Sequence, residues 1–394
     1  MFYAGKTALH TAIILTNKGA GKFDVIDANF VKPSQVWRHD DWDPASWAAS
    51  NPGGGDVRIW RMGTVSNTPT PTASPVLQVN KRVQSDGTNQ VYVARASTVD
   101  QYWWNTSTTK VQFTNIITIA QNNIVAIDST IMPDGQHLLY TAVPDGVWES
   151  YWYPGQKKPT SSKIISGLTG VKKVQKTLQS NGYQQLYVMT GAGVYEYFWK
   201  PNTTIKGELL YGLNNPVDMV KIFEPNGSQS VYVADQAYVY RVNWGTSAGK
   251  TITPMINIAQ RNIVSVDVVV ASDGRHSLYT ATDTGVWETN WYIGQPHSSR
   301  WIAGGTGIKQ VQARIISGTY QVYVATNGGI YRYWWNVGST SVNQVVIANI
   351  PAVRGFDEGI NPDGARAVYT ASGNTVQESY WFGNTGGVTT HELK

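Results

Sequence analysis

The chain has 394 residues, a formal charge of +5 and no Cys, which excludes disulfides, thiolate metal sites and a Cys nucleophile while leaving the redox compartment open. Its 31 basic residues are dispersed, without a Lys/Arg run, which argues against nucleic acid as a partner, and no stretch approaches the roughly 20 apolar residues of a membrane-spanning helix. Charged residues make up only 14 % of the chain, against 16 Trp, 22 Tyr, 38 Gly and 17 Pro, which is an all-β composition broken into short segments by turns.

Residues 1–75 stand apart from the rest of the chain. Thr7 to Thr16 is partly apolar but lacks a clean basic start and a small-residue cleavage site, so a soluble chain without a Sec-type signal is expected. Trp37, Trp42, Trp47 and Trp60 argue against disorder. Together with the charged patch Arg38-His39-Asp40-Asp41 they suggest an ordered cap or arm, packed on the remainder of the protein or on another subunit. Thr68-Pro69-Thr70-Pro71-Thr72 reads as a linker.

From about residue 76 a repeat takes over. A Tyr is followed twelve residues later by a Trp at Tyr92/Trp104, Tyr140/Trp152, Tyr187/Trp199, Tyr232/Trp244, Tyr279/Trp291, Tyr323/Trp335 and Tyr369/Trp381. Seven residues after each Tyr stands Val or Ile, and successive Tyr are 44 to 48 residues apart. A period of this size points to a solenoid or a propeller.

The contents of one period decide between them. In residues 122–168 the spacing predicts strands over Asn122 to Asp128, Leu138 to Ala142, Val147 to Tyr153 and Lys163 to Ile165. Turns fall at Pro133-Asp134-Gly135, Asp145-Gly146 and Pro154-Gly155. Four short antiparallel strands make one propeller blade. Seven blades result, at about 76–121, 122–168, 169–215, 216–260, 261–305, 306–349 and 350–394, with Thr389 to Leu393 completing the last. The fold class is therefore an all-β, seven-bladed propeller of four-stranded antiparallel blades with an extra N-terminal segment.

Three repeats carry Glu early in the third strand, at Glu149, Glu288 and Glu378, where the others carry Gln101, Glu196, Arg241 or Arg332. Two kinds of blade predict two kinds of site. An aromatic plane meets the C–H face of a sugar ring, and a neighbouring carboxylate accepts its hydroxyl protons. The candidate sugar-binding residues are Trp148, Glu149, Trp152 and Tyr153, then Trp287, Glu288, Trp291 and Tyr292, then Glu378, Tyr380 and Trp381, with Trp104, Trp199 and Trp335. Core packing is the competing reading for the seven repeated Trp, and the head Tyr and the Val or Ile are read as structural. A buried carboxylate is either paired or turned to a ligand. No Arg or Lys recurs at a fixed offset from these Glu, which favours the ligand. Asp128, Asp267 and Asp357, each twelve before the Tyr, are read as bonding neighbouring strands, with hydroxyl binding as the alternative.

Six scattered His show no metal spacing, and no nucleophile elbow or calcium loop is present, so no catalytic residue, metal or cofactor is expected. The Tyr-X-Ala … Val-Trp-Glu-Ser-X-Trp repeat resembles the Photorhabdus seven-bladed propeller lectins over about residues 76–394. That resemblance implies several inter-blade sites per chain, of more than one type, for L-fucose or O-methylated glycans. It also implies a homo-oligomer released from a bacterium to act on a host. Residues 1–75 have no counterpart in the resemblance. A scaffold propeller for a protein partner and a glycan-cleaving enzyme remain the alternatives.

Overall fold

The computed structural model describes residues 75–105, 111–117, 121–156, 158–179, 182–201, 203–245, 249–256, 262–383 and 387–393, and, before them, the backbone of 2–4, 7–10, 12–19, 22–28, 36–43 and 56–57. The chain divides into two compact units, Met1–Thr72 and Ala73–Lys394. The first contains two three-stranded sheets. One joins Thr7–His10, Phe2–Ala4 and Asp56–Val57, and the other Ala12–Gly19, Lys22–Ala28 and Val36–Trp42. The side chains of Trp37, Trp42, Trp47 and Trp60, on which the expectation of an ordered arm rests, lie outside the described residues.

The second unit is the seven-bladed propeller: seven four-stranded antiparallel sheets, each paired in simple sequence order. Blade 2 consists of Ala126–Ile131, His137–Val143, Gly146–Trp152 and Thr160–Ser166. The remaining blades span residues 78–117, 171–212, 218–254, 263–304, 308–348 and 353–392. The innermost strand of blade 2 begins four residues later than the sequence predicts. Asn122-Asn123 belong to the preceding turn, and Asn123 sits at φ 63°, a conformation Asn tolerates and a ladder residue does not adopt. No helix among the described residues is long and apolar enough to cross a membrane.

The blades are held together by the repeat itself. The head Tyr of each blade is fully buried, and the Trp of the next blade packs on its ring. Ring centroids are 5.9–6.5 Å apart at all seven interfaces, from Trp152 on Tyr92 round to Trp104 on Tyr369. Pairs of this geometry contribute about 0.5–1.5 kcal/mol beyond the area they bury. In six of the seven blades an Ala two residues after the Tyr, such as Ala142 and Ala281, leaves room for the Val or Ile of the third strand; blade 3 carries Met189 there.

The inner strands add a second set of links around the axis. The carboxylate of Asp128 accepts the backbone N–H of Lys176 at 2.6 Å, Asp267 that of Ala313 at 2.6 Å, and Asp357 that of Lys81 at 2.6 Å. Asp218 and Gln175 do the same for Val266 and Lys221. The strand-bonding role read for the three recurring Asp is therefore the one the structure shows. The ring closes without exchanging a strand: Thr389–Glu392 is the outer strand of blade 7. Its seam with blade 1 is made by Asp357, by the Trp104–Tyr369 contact and by Lys81, whose ammonium donates to the Ile360 carbonyl and Asn361 Oδ1.

One glycine recurs for a steric reason. Gly146, at φ 157°, opens the third strand of blade 2, and a Cβ there would stand 2.1 Å from the Ile165 carbonyl oxygen. Gly329 repeats this in blade 6, at φ 151° and 2.1 Å from the Ala348 oxygen.

Candidate inter-blade grooves

The second and third strands of a blade pair so that the head Tyr stands directly opposite the residue nine positions later. Thus Tyr140 faces Glu149, Tyr187 faces Glu196, Tyr279 faces Glu288 and Tyr369 faces Glu378. Residues opposite one another in a ladder project from the same face, so each phenol reaches its carboxylate. The four hydroxyls donate at 2.7, 3.0, 2.8 and 2.6 Å. That face looks onto the next blade, which contributes its Trp and the residue three before its own Tyr. Each groove thus takes Tyr and an acid, amide or guanidinium from one blade, and Trp with Asn89, His137, Gln184, Gln229, His276, Tyr320 or Arg366 from the next. In the groove between blades 2 and 3, the Tyr140 hydroxyl oxygen also lies 3.1 Å from Gln184 Oε1.

The predicted residues separate into three environments. Trp152, Trp199, Trp291, Trp335 and Trp381 are 1–7 % exposed, each packed against the head Tyr of the preceding blade. They are inter-blade core. Trp104 is half-buried. Glu288 and Glu378 are buried inside their grooves, whereas Glu149 is half-buried and reachable from outside. Trp148 and Trp287 are half-buried, and Trp287 meets the exposed Trp301 edge-on at 5.0 Å. Tyr153 and Tyr292, 40 % and 44 % exposed, present open rings at the blade ends, their hydroxyls held by Asp134 and Asp273 at 3.1 and 3.0 Å. Tyr380 is half-buried with its edge toward His391.

The carboxylates are paired more fully than the sequence suggests. Their recurring partner is the neutral phenol nine residues earlier. Charged partners differ from groove to groove: Arg300 lies 2.5 Å from Glu288, and His391 lies 3.1 Å from Glu378. Burial raises the Glu149 and Glu196 carboxyls above their ordinary range. Burial also works to raise Glu378, but hydrogen bonds from His391 and Tyr369 outweigh it and hold that carboxyl low. Beneath the groove between blades 2 and 3, the Lys176 ammonium lies 5.7 Å from the Tyr140 ring centroid and 5.3 Å from that of Trp199, and burial pulls it down to about 8. Lys221 is the counterpart in the next groove, pulled down to about 7 by burial.

Glu224 is a groove carboxylate the sequence reading misses. It follows the inner strand of blade 4, outside the Tyr-plus-nine register, and enters the groove between blades 4 and 5. There it accepts from Arg241 at 2.7 Å, from Ser230 and from His276 at 2.5 Å. Burial opposes ionisation, but these donors prevail and bring its pKa to about 2. No fixed offset marks it; the signal was Arg241 standing where other blades carry Glu, a buried cation that requires an acid nearby.

Several buried polar atoms at blade interfaces have no hydrogen-bond partner among the described residues. They include both side-chain atoms of Asn89, opposite Trp104, and the side-chain nitrogens of Gln321 and Trp381 between blades 6 and 7. Buried groups of this kind are rare and call for a water, an ion or a ligand. The axis of the ring holds a cavity of about 620 Å³ lined by all seven inner strands, where Asp128, Asp218, Asp267 and Asp357 are occupied by the following blade. Among the described residues no group of three His, Asp or Glu is placed to hold a metal ion.

No protein-family model matches the chain, and no curated protein does. Solved structures do. BBS1N, in a crystal structure of its complex with ARL6DN, is 17 % identical with a TM-score of 0.56, over 82 % of this chain and 96 % of that one. An ancestral GH74 enzyme is 12 % identical with a TM-score of 0.59, over 82 % of this chain and 46 % of that one, so this chain spans less than half of the enzyme's length. At these identities the likeness establishes the propeller fold that the ring of blades already shows.

Proposed function

We propose that the propeller is a multivalent carbohydrate-binding protein that takes monosaccharides, L-fucose or O-methylated sugars foremost, in the grooves between its blades. The observation that carries this reading is the gathering of unfilled hydrogen-bond capacity at blade interfaces, beside carboxylates and aromatic rings. A sugar supplies both donors and acceptors from adjacent hydroxyls, which suits an amide such as Asn89 with both atoms unfilled. The groove between blades 2 and 3, with half-buried Glu149 and Gln184 on opposite walls, and the seam between blades 7 and 1, with Asn89 and half-buried Trp104, are the foremost sites. Several weak sites on one rigid ring gain about 10² to 10⁴ in avidity on a glycan-coated surface.

A glycan array on the full chain, followed by calorimetry with the best monosaccharide, tests the proposal. Binding at several sites per chain, weakened by Glu149→Gln, supports it; a silent array from folded protein refutes it.

Self-association is a second partner reading with an observation of its own. The outermost strands expose Phe113, Leu209, Ile252 and Trp301 on four different blades, along edges that no further strand pairs among the described residues. Sedimentation at several concentrations tests it, and a monomer throughout removes it.

A further inference from the structure

We infer that one mouth of the axial cavity binds a small soluble polyanion carrying phosphate groups. The inference stands apart from the carbohydrate-binding reading, which concerns the grooves between blades.

The lining of the cavity carries eight Lys or Arg against five Asp or Glu. All five acids are engaged within the wall. Asp128 pairs with Arg82 at 2.6 Å, Asp218 with Lys173 at 2.5 Å, and Glu358 with Arg314. Asp267 and Asp357 accept backbone N–H groups of the following blade. Amides of the wall are closed in the same way: Gln78 bonds both the N–H and the carbonyl of Ile127, and Gln310 both those of Phe356. Two of the remaining cations, Lys176 and Lys221, turn into the grooves, 5.7 and 5.6 Å from the ring centroids of Tyr140 and Tyr187. Lys172, Lys309 and Arg354 are left, and all three are exposed.

These three stand at one level of the ring, as the second residue of the innermost strands Val171–Leu178, Ile308–Ile316 and Val353–Ile360 of blades 3, 6 and 7. Each is the extra residue of a β-bulge. The pairing with the second strand skips from Val171 to Lys173, from Ile308 to Gln310 and from Val353 to Gly355. A bulge re-aims the side chain it carries; the same bulge in blade 5 falls on the uncharged Val264. Among the described residues Lys309 and Arg354 have no hydrogen bond or ion pair. Lys172 donates to neutral acceptors only, Asn215 Oδ1 at 2.5 Å and the Pro216 carbonyl at 3.0 Å. The turns between second and third strands lie at the same end of the sheets and carry Asp145, Asp235 and Asp283, each with a partner of its own. Asp145 holds Lys163, Asp235 the N–H groups of Ala237 and Tyr238, and Asp283 the Asn262 amide.

Three cations at one level with no acid among them attract an anion to the axis. They come from three different blades, so their partner must present charged oxygens in several directions. A tetrahedral phosphate does this and a planar carboxylate does not. An excess of three positive charges is matched by linked phosphates better than by one anion.

Calorimetry on the full chain with inorganic tripolyphosphate, in about 50 mM NaCl where screening is weak, decides the matter. Binding near one site per chain is expected, with inorganic phosphate much weaker. Lys309→Gln combined with Arg354→Gln changes two exposed side chains and should weaken tripolyphosphate about tenfold or more, the effect of losing two solvent-exposed ion pairs. Lys158→Gln combined with Lys206→Gln removes the same charge from exposed positions outside the cavity lining and should leave the affinity unchanged. Four results overturn the inference: no binding by folded protein, an unchanged affinity in the first double variant, equal weakening in both, or inorganic phosphate binding as tightly as tripolyphosphate. Methyl α-L-fucoside, titrated separately, reports on the grooves, and its silence overturns the carbohydrate reading while leaving this one standing.

Discussion

Replacing Trp335 by Ala tests whether the repeated Trp holds the ring together. The indole is 2 % exposed and lies between Tyr279 of the preceding blade, at 6.2 Å, and Tyr320 of its own blade, stacked at 5.7 Å with 20° between planes. The Arg300 guanidinium closes a third side at 4.9 Å. Truncating a buried Trp to Ala costs about 3–5 kcal/mol, and the two ring contacts, at roughly 0.5–1.5 kcal/mol each, place this site toward the upper end. Unfolding entropy near 2.1 cal/mol/K per residue, over roughly 320 propeller residues, converts that to a fall in Tm of about 4 to 7 °C. Scanning calorimetry on both proteins reads it directly. Trp103→Ala, at a site 40 % exposed, is the control and should move Tm by less than about 2 °C. If both variants fall equally, the Tyr–Trp contact is not what joins the blades.

Glu224→Gln should flatten the acid limb of stability. A carboxyl held at about 2 in the fold, against an ordinary 4.5, stabilises the protein above pH 4.5 and loses that contribution as pH falls toward 2. The loss is of order 3 kcal/mol for a shift of this size, and urea midpoints from pH 5 to pH 2 that run parallel in both proteins would count against it. Asp267 behaves with the opposite sign: burial raises it to about 6, so its contribution is largest in acid and declines as pH rises from about 4 to 6. Relative to the parent, Asp267→Asn should therefore gain up to about 3 kcal/mol between pH 4 and pH 7, and a pH-independent difference argues against a strained carboxylate. Gly329→Ala drives a Cβ to 2.1 Å from the Ala348 oxygen and should lower the urea midpoint well beyond Gly191→Ala, where a Cβ meets nothing within 4 Å and the backbone is not left-handed; equal midpoints would show that the outer strand yields.

The blade count and the strand order were legible because each repeat places one Tyr in the second strand and one Trp at the end of the third. A fixed offset of twelve survives only if the hairpin between them keeps its length, so counting the pair counts blades. The inner strands were less legible. Their starts are set by turn residues such as Asn123, whose positive φ no apolar pattern reveals. Within the grooves, half of each contact was visible. Tyr140 and Glu149 are nine apart in every acidic repeat and face one another across a tight hairpin, so the phenol partner follows from register once a neutral donor is considered. The other half comes from the next blade. Lys176 beneath Tyr140, and His276 on Glu224, lie 36 and 52 residues away in sequence and meet only because the ring closes. The Trp choice between core and ligand platform turned on how far the neighbouring blade buries the ring, a fact of three dimensions with no trace in spacing.

The Tyr–Trp contact has a direction. Every blade offers a Tyr on one side and a Trp on the other, so the unit is complementary to a copy of itself in head-to-tail fashion, as the protomers of a cyclic oligomer are. The peptide links between blades add proximity to an association already encoded on the two faces, and the seam of blades 7 and 1 shows the association formed with no link at all. A ring of this kind can be cut between any two blades and its ends rejoined elsewhere with the same neighbours meeting. Blades can accordingly diverge one at a time, each interface free to take its own polar lining while the aromatic clasp preserves the circle.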